Sequence, residues 1–162
     1  MTTDTKMMTF AVPVEPDYLA FVGGIAIKHA HLDHILRMMV KTLADVSVDE
    51  ALNATEFEGS RQLRERVNKL AKKRLGEGKP LVRFQDMIYR CKQATDKRNE
   101  LLHSIFAKEL DGEIQFRRRD RSWEDPPSID WLSRLYDEIH NLVLELNTAR
   151  LDGFLHEALK DH

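Results

Sequence analysis

Between Leu81 and Phe106 no glycine or proline interrupts the chain, and the side chains repeat with the period of a buried helix. At about 100° per residue, Phe84, Met87, Ile88, Cys91, Thr95, Leu102, Ile105 and Phe106 fall on one broad face. A face that wide belongs to a helix pressed into a core, and it restricts the fold more than any other feature of the chain.

The same period recurs three more times. Phe21, Ile25, Leu32, Leu36, Met39 and Leu43 mark a helix that starts at Pro16, with Asp17 as N-cap, and runs to about Asp45. Leu63, Val67, Leu70 and Ala71 mark another, from about Ser60 to Leu75. Trp131, Leu132, Leu135, Ile139, Leu142, Val143, Leu146 and Ala149 hold register in a last helix capped by Ser128 or Asp130. Its remainder, to about Leu159, carries Gly153 and bends or frays. The expected fold is all-α: an up-and-down bundle of four main helices. Gly23-Gly24 weakens the first helix locally and permits close packing there.

The connections carry less structure. Asp49 to Gly59 is acidic and turn-rich, with a short helical piece. Gly76-Glu77-Gly78-Lys79-Pro80 supplies helix breakers and lacks the glycine pattern of a phosphate loop. Asp111-Gly112, between Ala107–Leu110 and Glu113–Arg117, predicts a small β-hairpin insertion. Residues 1–14 read as a flexible N-terminal arm whose Phe10-Ala11-Val12 docks on the body or on a partner, and residues 15–162 read as a single helical domain.

A chain of 162 residues can bury a sufficient core without disulfides or metal. Its one cysteine, Cys91, lies on an apolar helix face, which suits packing in a reducing compartment. The longest mostly apolar run, Leu19 to Ile27, stops at Lys28, far short of a membrane span, so the expectation is a cytoplasmic protein with no membrane partner. A net charge of -2 excludes a uniformly basic surface, yet Arg61 to Arg74 holds seven cations against Glu65 alone. That basic face reads equally as solvated helix surface or as RNA contact. His29, His31 and His34 with Asp33 raise a metal reading, but His29 points away from the other two and nothing completes a ligand set, so no metal and no cofactor is expected. The stripe Ile27, His31, His34, Met38 instead suits a subunit interface.

The chemistry concentrates at Asp96-Lys97-Arg98-Asn99-Glu100-Leu101-Leu102-His103. Asn99 and His103 are one helical turn apart and share a polar stripe with Gln85, Lys92 and Asp96. Arg98 projects from the apolar side, where a guanidinium needs an anion, a carbonyl or a ligand. Arg134 to His140 and Arg150 to His156 repeat a similar arginine-to-histidine spacing, but Leu135 and Leu151 stand where Arg98 is followed by Asn99.

Arg98-Asn99 followed by His103, on a late helix of a small helical chain, resembles the R-x-x-x-x-H motif of HEPN-domain proteins, and Ser104, Ile105 and Phe106 resemble the small-then-apolar tail that often follows it. The resemblance implies a HEPN-like bundle, a homodimer in which the motifs of two protomers face each other, and a metal-independent endoribonuclease with Arg98, Asn99 and His103 as catalytic residues. It also implies a toxin role in a toxin–antitoxin pair, with an antitoxin protein as partner. Lys97 and the cluster Arg117, Arg118, Arg119 and Arg121, with Asp120 between them, are candidate RNA contacts, and the cluster suits equally a loop held against Glu124-Asp125. The alternative is a noncatalytic HEPN-like module for dimerisation or for binding a partner or nucleotide. A plain helical adaptor would instead pair Arg98 with a carboxylate of its own protomer.

Overall fold

Pro16 opens the first long helix. Its ring fixes φ, and its missing N–H is one that a helix start leaves unbonded in any case. In the computed structural model, which describes residues 7–118 and 122–161, helix α1 spans Pro16–Ala44 with Glu15, not Asp17, as its N-cap. Asp17 lies one position further in, within the first turn, where its carboxylate meets the positive end of the helix dipole. The short α2, Val48–Ala54, is closed by a reciprocal cap: the Ser47 hydroxyl accepts from the Glu50 N–H and the Glu50 carboxylate accepts from the Ser47 N–H.

Helices α3 (Ser60–Leu75) and α4 (Lys79–Leu102) are joined by a turn in which Gly76 and Gly78 take φ of 64° and 145°. Side chains rarely adopt those values, so the glycines allow the chain to reverse this tightly. The short turn makes α3 and α4 neighbours. Helix α5 (Ile129–Leu151) starts at Ser128, whose hydroxyl accepts from the Trp131 N–H, and α6 (Phe154–Lys160) follows a break at Gly153.

The four long helices form a closed ring, with α1 against α3, α3 against α4, α4 against α5 and α5 back against α1. This is the expected all-α bundle. Its core takes Ile25, Leu32, Leu36 and Met39 from α1, Leu63 and Val67 from α3, Phe84 and Cys91 from α4, and Leu135 and Ile139 from α5. Gly24 lets α5 approach: a Cβ there would lie 3.0 Å from the Tyr136 ring, whereas one on Gly23 would meet nothing. Among the described residues, no helix is long and apolar enough to cross a membrane.

Two expectations about the end of α4 are corrected. The helix stops at Leu102, with His103 as C-cap, and Leu101 rather than Leu102 faces the core. Ile105 and Phe106 leave the helix for strand β2 (Ile105–Lys108), which pairs antiparallel with β1 (Thr9–Phe10) on one side and β3 (Gln115–Arg117) on the other. A β-branched and an aromatic residue with partners on both edges favour the strand over another helical turn. The hairpin register also differs from a tight Asp111-Gly112 turn, because Phe106 pairs with Phe116 and Ala107 with Gln115. That register brings the two phenylalanine rings edge to face, centroids 5.0 Å apart, and Phe106 contacts Tyr18 of α1 edge-on as well. The sheet is thereby fixed to the bundle where α4 finishes and α1 begins. The end of the N-terminal arm is part of it, since Thr9 and Phe10 pair with Lys108 and Ala107.

Candidate functional site

Two helix faces make the site. On α3, Arg61, Arg64, Glu65 and Asn68 recur at intervals of three and four, and on α4 Gln85, Ile88, Tyr89, Lys92, Thr95, Asp96 and Asn99 do the same. Side by side, the two faces enclose an open groove of about 820 Å³, with Arg98 and Asn99 at the motif end.

Arg98 is fixed from two directions. Its Nη1 donates to Asn99 Oδ1 at 2.8 Å, and its Nη2 donates to Nδ1 of His29, on α1, also at 2.8 Å. His29 is completely buried. Its other nitrogen, Nε2, lies 3.0 Å from Thr95 Oγ1, and that hydroxyl donates to the Cys91 carbonyl at 2.8 Å. With its proton committed, Thr95 accepts from His29 Nε2–H and, at 3.3 Å, from Arg64 Nη1. The proton of His29 is therefore on Nε2 and its lone pair on Nδ1.

The electrostatics keep that imidazole neutral. Burial pushes the His29 imidazole down from 6.5 to about 4; Asp33 opposes the shift, while Arg98 and Arg64 reinforce it. Asp33 Oδ2 lies 3.7 Å from Nδ1, and Asp33 Oδ1 accepts from the Ser60 hydroxyl at 2.7 Å. At neutral pH His29 is an uncharged acceptor for Arg98.

No carboxylate pairs with Arg98 among the described residues, and its Nε is buried without a partner among them. Among the described residues, no acid of the same protomer neutralises Arg98 in the way expected of a plain adaptor. His103 sits on the last cap of α4, exposed, its N–H bonded to the Asn99 carbonyl at 2.9 Å. Its imidazole makes no hydrogen bond or ion pair with another described residue and does not line the groove. Arg98 and Asn99 are thus brought together, while His103 stands one turn away at the helix end.

The other candidate RNA contacts are placed differently. Lys97 Nζ donates to Glu138 Oε2 on α5 at 2.8 Å. Arg118 returns to the motif, pairing with Glu100 at 3.1 Å and with Glu124 at 3.0 Å. The Arg117 guanidinium lies over the Trp123 ring. Arg119 and Arg121 lie outside the described residues. The two similar arginine-to-histidine spacings are occupied elsewhere: Arg134 bonds a carbonyl of its own helix, Arg150 bonds Asn147, and His140 meets Lys28 and stacks on Tyr136.

His29, Thr95 and Arg64 are the members of the site that the sequence reading did not assign to it. The signal was present for His29, which stands four residues after Ile25 and three before Leu32, on the core stripe of α1 and not with His31 and His34, both exposed. Among the described residues, no group of three or more His, Cys, Asp or Glu side chains is placed to hold a metal ion. No family model, curated protein or solved structure compared with this chain matches it.

Proposed function

We propose that the chain is a metal-independent endoribonuclease of the HEPN type, acting as a homodimer with a composite site. One observation carries this reading: Arg98 is held by two neutral partners, His29 and Asn99, with no ion pair among the described residues, and it lies five residues before an exposed imidazole on the same helix end.

The reaction is transesterification at one RNA linkage. The 2′-oxygen forms a bond to phosphorus, the bond from phosphorus to the 5′-oxygen breaks, and the products carry a 2′,3′-cyclic phosphate and a 5′-hydroxyl. A base takes the 2′-proton and an acid returns one to the 5′-oxygen. His103, an exposed imidazole that can both accept and donate a proton, can fill either role. Arg98 donates to the phosphoryl oxygens as negative charge accumulates there, and Asn99 holds the guanidinium in place. His29 cannot serve as the second acid or base, because Nδ1 is taken by Arg98 and Nε2 by Thr95. One protomer therefore offers a single free histidine at the motif, which favours a pair of motifs facing across a two-fold axis.

The test is cleavage of a mixed single-stranded RNA by purified protein in a metal chelator, beside folded Arg98→Ala and His103→Ala variants. The wild type is expected to leave cyclic phosphate ends, and each variant to lose about 100-fold or more in rate. Light scattering is expected to give a dimer for all three. As a toxin, the wild type would slow growth when produced without an antitoxin and Arg98→Ala would not. A folded dimer that leaves RNA intact would instead identify a noncatalytic module.

A further inference from the structure

The groove between α3 and α4 continues well past the motif, and its charges do not cancel. Six ionic side chains line it. At the rim, Arg61 Nε donates to Glu65 at 2.8 Å and Lys92 Nζ donates to Asp96 at 2.6 Å, which leaves Arg64 and Arg98. Neither pairs with a carboxylate among the described residues. Both converge on the same neutral pair, Arg64 through Thr95 and Arg98 through His29. The carboxylate facing this pair is Asp33, one negative charge against two guanidiniums. Like charges gathered in a half-buried groove repel unless an anion joins them, and planar guanidiniums fit phosphate oxygens best.

Farther from the motif the lining changes character. Asn68 is one turn along α3 from Arg64, about 6 Å by helical rise, and its Oδ1 is buried with no hydrogen-bond partner among the described residues. Tyr89 on α4 is 58% exposed and gives this part of the groove an aromatic face. A phosphate site, then a flat aromatic surface beside an unused amide acceptor, follows the order of groups in a nucleotide. A groove of about 820 Å³ is within the range of small-molecule sites.

We infer that the groove is a nucleotide subsite: Arg64 and Arg98 hold the phosphate, Tyr89 stacks on the base, and Asn68 accepts from the base edge. The inference rests on the ribonuclease reading and adds to it the seat of the nucleotide beside the cleaved linkage, with a preference among bases. Stacking tolerates any base, so the preference falls to Asn68, which favours an edge that presents an amine or imide N–H.

The test separates the subsite from the cleavage. Labelled 2′-O-methyl RNA pentamers of each base, which bind but cannot be cut, are titrated by fluorescence anisotropy into wild type and into Arg64→Gln, Tyr89→Ala and Asn68→Ala, with Arg134→Gln on α5 as a charge control. Arg64→Gln is expected to weaken binding about 10-fold and to lower the salt slope by about 0.7. Tyr89→Ala should weaken every pentamer by about 5-fold or more, Asn68→Ala should flatten the ranking of bases, and Arg134→Gln should change neither. Equal binding by wild type and the three groove variants, or no binding by folded wild type, overturns the subsite. A free nucleoside monophosphate that binds as tightly as its pentamer overturns the assignment to RNA. Groove-dependent pentamer binding by a protein that cuts no unmodified RNA supports the subsite and rejects the ribonuclease.

Discussion

Nη2 of Arg98 donates to Nδ1 of His29 across 69 residues of sequence, tying the motif helix to the buried face of α1. Removing the acceptor should therefore disturb both stability and the motif. His29→Leu strands Arg98 Nη2 and removes the donor to Thr95, and is expected to cost about 1–3 kcal/mol. Glutamine can accept from Arg98 with its carbonyl and donate to Thr95 with its amide, so His29→Gln should restore most of that loss. Urea denaturation of the three proteins, with RNA cleavage measured in parallel, checks the order wild type, glutamine, leucine.

The same histidine sets a pH dependence. Its folded value is pushed down from 6.5 to about 4, so between those values the unfolded chain binds a proton that the folded chain refuses. Stability is then intact above 6.5, falls as pH drops toward 4, and changes no further from this source once both states are protonated. The full loss is about 3 kcal/mol. Denaturation at pH 7 and pH 4.5 should show wild type losing more than His29→Gln across that window.

The paired glycines of α1 should respond oppositely. Gly23 has open space where a Cβ would go, so Gly23→Ala is expected to stabilise by about 0.5–1 kcal/mol through helix propensity. At Gly24 a Cβ would sit 3.0 Å from the Tyr136 ring, and Gly24→Val is expected to destabilise by about 1–3 kcal/mol through overpacking. Thermal melts of both variants give the two signs directly.

Cys91 should be inert in the native state. It is fully buried on α4, and burial pushes its thiol up to about 12, so almost no thiolate is present at neutral pH. Iodoacetamide is expected to leave the folded protein unmodified over hours and to alkylate it once in urea, with mass spectrometry as the readout.

The helices were legible because each repeats its apolar residues over many turns: the limits expected for α3, Ser60 to Leu75, are those observed. The end of α4 was not. Ile105 and Phe106 continue the helical stripe as well as they begin a strand, and what decides between them is pairing with Thr9–Phe10 and Gln115–Arg117, which no local pattern contains. The site divides in the same way. Arg98, Asn99 and His103 lie within six residues and can be found by spacing, whereas the bonds of Arg98 to His29, and of His29 and Arg64 to Thr95, join three helices. The rule that a buried guanidinium needs a partner predicted that one existed without identifying a neutral histidine.

Closure of the bundle has a consequence for how the chain comes to exist. Helix α1 has its most extensive neighbour in α5, near the other end of the sequence, and β1 waits for β2, which in turn pairs with β3. During synthesis, a chain that ends at Leu110 would emerge with the α5-facing side of α1 uncovered, and the strand that carries the chain away from His103 would have no partner on its β3 edge. The motif is complete as sequence well before it is complete as structure, so a ribosome stalled short of α5 should release a chain prone to aggregate and without activity.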